Sequence, residues 1–67
     1  MPLVEITLVT GRAPEELRAM ISAVTKAVSE SIAAPFPAIR VIIREIPTTH
    51  FAAGDVTIAE RRRDRSP

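Results

Sequence analysis

Pro2 is the first residue in this chain with unusual chemistry to offer. Methionine aminopeptidases remove Met1 when the second residue is small, and Pro qualifies. Its nitrogen then becomes a free secondary amine. An ordinary α-amino group titrates near about pH 8. Burial or neighbouring arginines disfavour the protonated form and lower that value. An amine poised near neutrality suits general acid–base catalysis. If Met1 stays, the same nitrogen is an amide and no base at all, and Met-Pro also opens many chains that make no use of it.

Four more side chains stand out. Arg12 follows Gly11 at the end of an apolar run. A guanidinium there either sits in solvent or holds a carboxylate through a bidentate pair. Arg40 opens an otherwise aliphatic segment, where a charge must face solvent, a partner or a ligand. Arg44 shares its face, as a second cation or as part of an interface ion pair. Phe51 is one of two aromatics, with Phe36. It either walls a dry pocket or fills ordinary core.

These residues need elements to position them. Leu3 to Val9 alternates, with Val4, Ile6 and Leu8 on one side and Glu5 and Thr7 on the other, which predicts a strand. Gly11 breaks it. Pro14 suits the first turn of a helix, and Glu15 and Glu16 favour its dipole. Ala13, at the cap position, lacks a capping side chain. Leu17, Met20, Ile21, Val24, Val28 and Ile32 recur at helical spacing, so one apolar stripe runs along a helix of about twenty residues, roughly 30 Å long. Ala34-Pro35-Phe36-Pro37 ends it. A second strand is expected over Ile39 to Ile46, with Ile39, Val41 and Ile43 on one face and Arg40, Ile42 and Arg44 on the other. Gly54-Asp55 then reads as a two-residue turn between 51–53 and 56–58. Glu60 to Pro67 is charged and is expected to fray.

The fold class expected is α+β: a β-α-β unit with parallel strands, one long helix and a short C-terminal hairpin. Strands joined by a helix pair in parallel through a right-handed crossover. One helix cannot cover both faces of such a sheet. A chain of 67 residues buries only about 60% of its unfolded surface, so a lone copy is marginal. There is no cysteine, and a lone histidine, His50, builds no metal site without converging carboxylates. Oligomerisation remains as the source of stability. A hydrophobic content of 46%, mostly aliphatic, suits subunit interfaces. The organisation expected is a single domain over 1–67, with its core at 2–58 and a flexible charged tail at 59–67.

Composition also excludes classes of function. Two aromatics give no stacking platform for nucleic acid. The net charge is +1, but 60–67 holds four Arg against two acids, leaving about −1 on the rest. That short basic tail, Arg61 to Arg65, is weak ground for a nucleic-acid contact. No apolar run is long enough to span a membrane and no secretory signal is apparent, so a cytoplasmic protein without membrane or nucleic-acid partners is expected.

The opening Pro-Leu-Val-Glu-Ile, then Thr10-Gly11-Arg12, Ala34-Pro35, the run Ile39 to Glu45 and His50-Phe51 stand in register without a gap. Over 2–58 the chain resembles 4-oxalocrotonate tautomerase and its small-subunit relatives. The resemblance implies that Pro2 shuttles a proton on a 2-hydroxy-dienoate or related enol acid. It implies that Arg12 binds the far carboxylate, and that Arg40, from a neighbouring subunit, polarises the 2-oxo end. It implies that Phe51 keeps the proline dry. It further implies an oligomer, typically a hexamer built as a trimer of dimers, with no metal or organic cofactor. Such enol acids arise in aromatic degradation and in secondary metabolism.

The chain also departs from the family. Ala52-Ala53-Gly54-Asp55 replaces a glycine-rich hairpin, and its methyls bear on the pocket and the turn. Ala53 supplies no carboxylate to activate water, which argues against the related dehalogenase chemistry. Other readings stay open: iminium chemistry on the Pro2 amine, or a non-catalytic subunit of a homo- or hetero-oligomer.

Overall fold

The computed structural model describes residues 1–65. Strand β1 (Leu3–Val9) leads into helix α1 (Pro14–Ile32), then a short 3-10 turn (Phe36–Ala38) and strand β2 (Arg40–Ile46). A second 3-10 turn (Thr48–His50), a hairpin of β3 (Ala52–Ala53) and β4 (Val56–Thr57), and helix α2 (Ile58–Arg65) complete the chain. β1 and β2 pair in parallel, with Leu3 opposite Arg40 and Val9 opposite Ile46. β3 and β4 pair antiparallel. The expected β-α-β unit with one long helix and a hairpin is what forms.

The alternation in β1 sorts its side chains as expected. Val4, Ile6 and Leu8 are half-buried, while Leu3, Glu5 and Thr7 are exposed. Strand β2 follows suit, with Val41 and Ile43 half-buried and Arg40, Ile42 and Arg44 exposed. Partners in a parallel register share a face. One face of the sheet therefore packs on α1, and the other presents Leu3, Glu5, Thr7, Arg40, Ile42 and Arg44 to solvent. On that open face Arg44 Nη1 donates to Glu5 Oε2 at 3.2 Å.

Helix α1 turns Leu17, Met20, Ile21, Val24 and Val28 toward the sheet, all half-buried. Ile32, the last residue of the predicted stripe, is 62% exposed. Ala13 gives no side-chain cap. Instead Glu16 Oε1 accepts from the Ala13 amide at 3.0 Å, the carboxylate half of a capping box. Ala33, at φ 56°, stops the helix in the left-handed region. Ser29 Oγ donates to the Ala34 carbonyl at 2.7 Å, which closes the exit.

Two expectations are corrected. Strand β2 starts at Arg40, not Ile39. Ile39 instead closes the preceding 3-10 turn by donating its amide to the Phe36 carbonyl at 3.1 Å. The frayed tail expected from Glu60 onward is instead helix α2, as far as Arg65; Ser66 and Pro67 lie outside the described residues. Its cause is a capping box: Glu60 Oε1 accepts from the Thr57 amide at 2.8 Å, and the Glu60 amide donates to Thr57 Oγ1 at 3.1 Å. The turn between β3 and β4 has Gly54 at φ 60° and Asp55 at φ 64°. Positive φ at both central residues is the primed turn that matches hairpin twist.

Among the described residues only Ile39 is a buried apolar residue, at 8% exposure. The accessible surface is 5035 Å², against roughly 4,200 Å² for a monomer of 7.3 kDa. The radius of gyration is 15.5 Å, where a compact chain of this length measures about 11 Å. Phe36 is 58% exposed, and Leu3, Ile42 and Val56 also face solvent. Among the described residues the chain forms an open layer with no buried core beyond Ile39.

Candidate active site

In a parallel pair both strands begin at one end and finish at the other, so topology divides the predicted site residues into two groups. Pro2 and Arg40 stand at the starting end, where the Arg40 amide donates to the Pro2 carbonyl at 3.0 Å. Arg12 lies just past the finishing end of β1, where the Thr10 amide donates to the Ile46 carbonyl at 3.0 Å. Phe51 follows the finishing end of β2 after the Thr48–His50 turn. From Leu3 to Val9 alone the strand runs about 20 Å. No small enol acid bridges that length. Within one chain, Pro2 and Arg12 cannot meet on the same molecule.

Pro2 is half-buried and Met1 is exposed. The bond from Arg40 ties Pro2 to the sheet, although chain termini usually fray. Alternation carried one residue back from Leu3 puts the Pro2 ring on the α1 side and Arg40 on the open side. The Arg40 guanidinium turns back along its own chain, with Nη1 donating to the Pro37 carbonyl at 2.6 Å. Neighbouring backbones at this end thus do not bring the two functional groups onto one face.

Arg12 is held from α1. Its Nη1 lies 3.7 Å from Glu16 Oε2, and both side chains are well exposed. Gly11 makes the bend possible at φ 127°, a conformation open to glycine and costly to other residues. Phe51 is half-buried, and its carbonyl accepts from the Ile58 amide at 2.8 Å. That bond extends the hairpin ladder and joins Phe51 to the start of α2. Arg61 Nη2 donates to the Ala53 carbonyl at 3.4 Å across the same hairpin.

Sequence reasoning read Arg62 only as part of a basic tail. It lines, with Val9, Thr10, Gly11 and Arg12, a cavity of about 250 Å³ at the finishing end of the sheet. The signal was present: Thr57-Ile58-Ala59-Glu60 is a capping-box spacing, and it turns a charged tail into a helix with a defined face. The same contact moves the Glu60 carboxyl below the usual carboxylate range, mainly through the Thr57 amide, then the Thr57 side chain and Arg63. Among the described residues no group of three His, Asp or Glu side chains could hold a metal ion, and no helix is long and apolar enough to cross a membrane.

The starting end thus carries Pro2 and Arg40, and the finishing end carries Arg12 and Phe51. Known proteins share this chain's sequence and fold. The family described as tautomerase enzyme matches residues 2–61. The 2-hydroxymuconate tautomerase of Stutzerimonas stutzeri is 41% identical over 54 residues, covering 81% of this chain and 86% of that protein. The crystal structure of TomN, a 4-oxalocrotonate tautomerase homologue of the tomaymycin biosynthetic pathway, superposes with a TM-score of 0.94 at 40% identity. That match covers 97% of this chain and all of TomN. A heterohexameric 4-oxalocrotonate tautomerase from Chloroflexus aurantiacus superposes with a TM-score of 0.86 at 33% identity, covering 90% of this chain and 97% of that one. A parallel β-α-β unit matched over nearly its whole length in both sequence and fold places this chain in the tautomerase family, as an isomerase of the 4-oxalocrotonate tautomerase type.

Proposed function

We propose that the chain, once Met1 is removed, interconverts the enol and keto forms of a 2-hydroxy-dienoate or related 2-oxo acid with the Pro2 amine as proton shuttle. The carrying observation is the tether on Pro2: the Arg40 amide holds its carbonyl at 3.0 Å, so the future amine is fixed rather than frayed. The amine takes the proton of the 2-hydroxyl. The oxygen lone pair closes to a carbonyl, the double bonds shift along the chain, and the same proton returns to a distant carbon. Atoms and electrons balance without an oxidant or reductant.

Charge develops on a dienolate in between, where preorganised cations lower its energy. Arg12 binds the carboxylate far from the amine, and Arg40 serves the 2-oxo end. Phe51 keeps water away. Because Pro2 and Arg12 stand at opposite ends of β1, the working site takes Pro2 from one copy and Arg12 with Phe51 from another. Arg40 points away from its own Pro2 and serves a neighbour. The open sheet face and missing core support such an assembly, and a hexamer as a trimer of dimers is the form proposed. The setting proposed is the cytoplasm, where the aminopeptidase that exposes Pro2 acts. A 2-hydroxymuconate-type acid from aromatic degradation is the chemical candidate suggested by the relatives.

The test has two parts. Mass determination should find the chain beginning at Pro2. Ultraviolet assay of 2-hydroxymuconate should then show turnover that Pro2→Ala abolishes while the fold and assembly persist. Intact Met1 on the active protein, or full activity in Pro2→Ala, would overturn the reading.

A further inference from the structure

The two sides of the Met1–Pro2 bond are not equally open. Met1 is 82% exposed, so its side chain stands free in solvent. Pro2, across the scissile amide, is half-buried. Its carbonyl accepts from the Arg40 amide at 3.0 Å. One residue on, Leu3 stands opposite Arg40 in the parallel register. An aminopeptidase takes both sides of the bond it cuts into a narrow cleft, with the following residues extended behind them. In the folded chain those residues are already committed to the sheet.

We propose that pairing of β1 with β2 closes the Met1–Pro2 bond to methionine aminopeptidase, so the sheet acts as a lock on maturation. Met1 leaves before β2 docks, and a chain that folds first keeps it. The cut consumes one water: the bond between the Met1 carbonyl carbon and the Pro2 nitrogen breaks. Free methionine takes the hydroxyl and the nitrogen takes the proton. A nascent chain offers that bond freely, because the donor of the tether is far along the sequence. At about 5–20 residues per second, about 2–8 s of synthesis separate Pro2 from Arg40. Closure follows, and it does not require the cut: with Met1 attached, the tether and the whole β1–β2 ladder form. A chain locked in this way carries an amide where the amine should be.

Release from the folded chain proceeds through the fraction of molecules whose terminus has lifted. One backbone hydrogen bond biases that opening by up to about tenfold, and withdrawal of the half-buried Pro2 ring adds to it. Folded chain should therefore lose Met1 at least about tenfold more slowly than an unstructured peptide of the same sequence. The inference goes beyond the tautomerase reading and does not use it, because its readout is the mass of the chain and not turnover.

Full-length chain expressed with its aminopeptidase inhibited carries Met1. Folded, it is incubated with purified methionine aminopeptidase beside a peptide of residues 1–10, and mass spectrometry follows the loss of methionine. Arg40→Pro removes the donating amide. Proline is tolerated at the first residue of a strand, and Ile39 before it is already extended at φ −88° and ψ 129°. Arg40→Ala keeps the amide and removes only the guanidinium. A chain with Met-Pro-Gly-Ser-Gly-Ser in place of Met1 carries the same kind of bond clear of the sheet. Wild type and Arg40→Ala should both be slow, Arg40→Pro about threefold or more faster than wild type, and the lengthened chain within about twofold of the peptide. Folded wild type that matches the peptide would overturn the proposal. So would a lengthened chain as slow as wild type, Arg40→Ala as fast as the peptide, or folded Arg40→Pro no faster than wild type. Circular dichroism checks each fold, and if Arg40→Pro unfolds, the lengthened chain, whose sheet is untouched, decides alone.

Discussion

Mixing two inactive variants should restore activity, by an amount fixed by the geometry. Pro2 and Arg12 flank a strand about 20 Å long, so the proposed site draws them from different copies. Pro2→Ala chains retain Arg12, and Arg12→Ala chains retain Pro2. When equal amounts are unfolded together and reassembled at random, half the sites receive an intact Pro2. Independently, half receive an intact Arg12. About one quarter of the sites are then complete, so the mixture should recover about a quarter of wild-type kcat per chain, with KM near the wild-type value. If one chain supplied both residues, no hybrid could contain a complete site. The assay is ultraviolet turnover of 2-hydroxymuconate, with native mass spectrometry to verify hybrid assemblies. Activity no higher than the mean of the two parents, in a sample shown to be hybrid, would refute the division of the site between copies.

The open sheet face should control assembly: Ile42→Asp places a charge among Leu3, Glu5 and Arg44, and should shift sedimentation toward smaller species and make Tm depend on protein concentration. Thr57→Ala deletes the α2 cap and should cost about 1 kcal/mol of local stability, read as faster amide exchange over 58–65. Glu60 has a folded-state pKa below its unfolded one, so its contribution is present above the unfolded value and is lost as pH falls through the depressed one. Protection factors of the α2 amides, which correct for intrinsic exchange, should therefore fall on acidification through the carboxylate range, and Glu60→Gln should remove that dependence.

Much of the architecture was legible because periodicity carries it. The two-residue alternation of β1 and the helical spacing from Leu17 to Val28 depend only on which side must be apolar. Gly54-Asp55 fixed the hairpin through its need for positive φ. The tail was misread because its composition outweighed its pattern: four arginines suggested solvent, while Thr57 and Glu60, three apart, were enough to start a helix. Ile39 was taken as strand because it is β-branched, yet its amide closes the preceding turn. The layout of the proposed site was not legible. Pro2, Arg12, Arg40 and Phe51 give no distances in a sequence, and only the parallel register reveals two groups at opposite ends. Arg62 lines a cavity with Arg12 only because α2 returns to the end of β1, a relation no spacing in the sequence shows.

The tether and the guanidiniums at opposite ends of one short strand also bear on how such a protein can change over generations. In the proposed assembly, a copy of the gene that loses Pro2 still supplies Arg12, and a copy that loses Arg12 still supplies Pro2. Neither loss is silent in a uniform population of chains, yet each is tolerated beside the other. Duplicated genes can therefore drift into mutual dependence through damage alone, with no new contact ever selected. An assembly of unlike chains is then a ratchet, because neither gene can be discarded once both are worn.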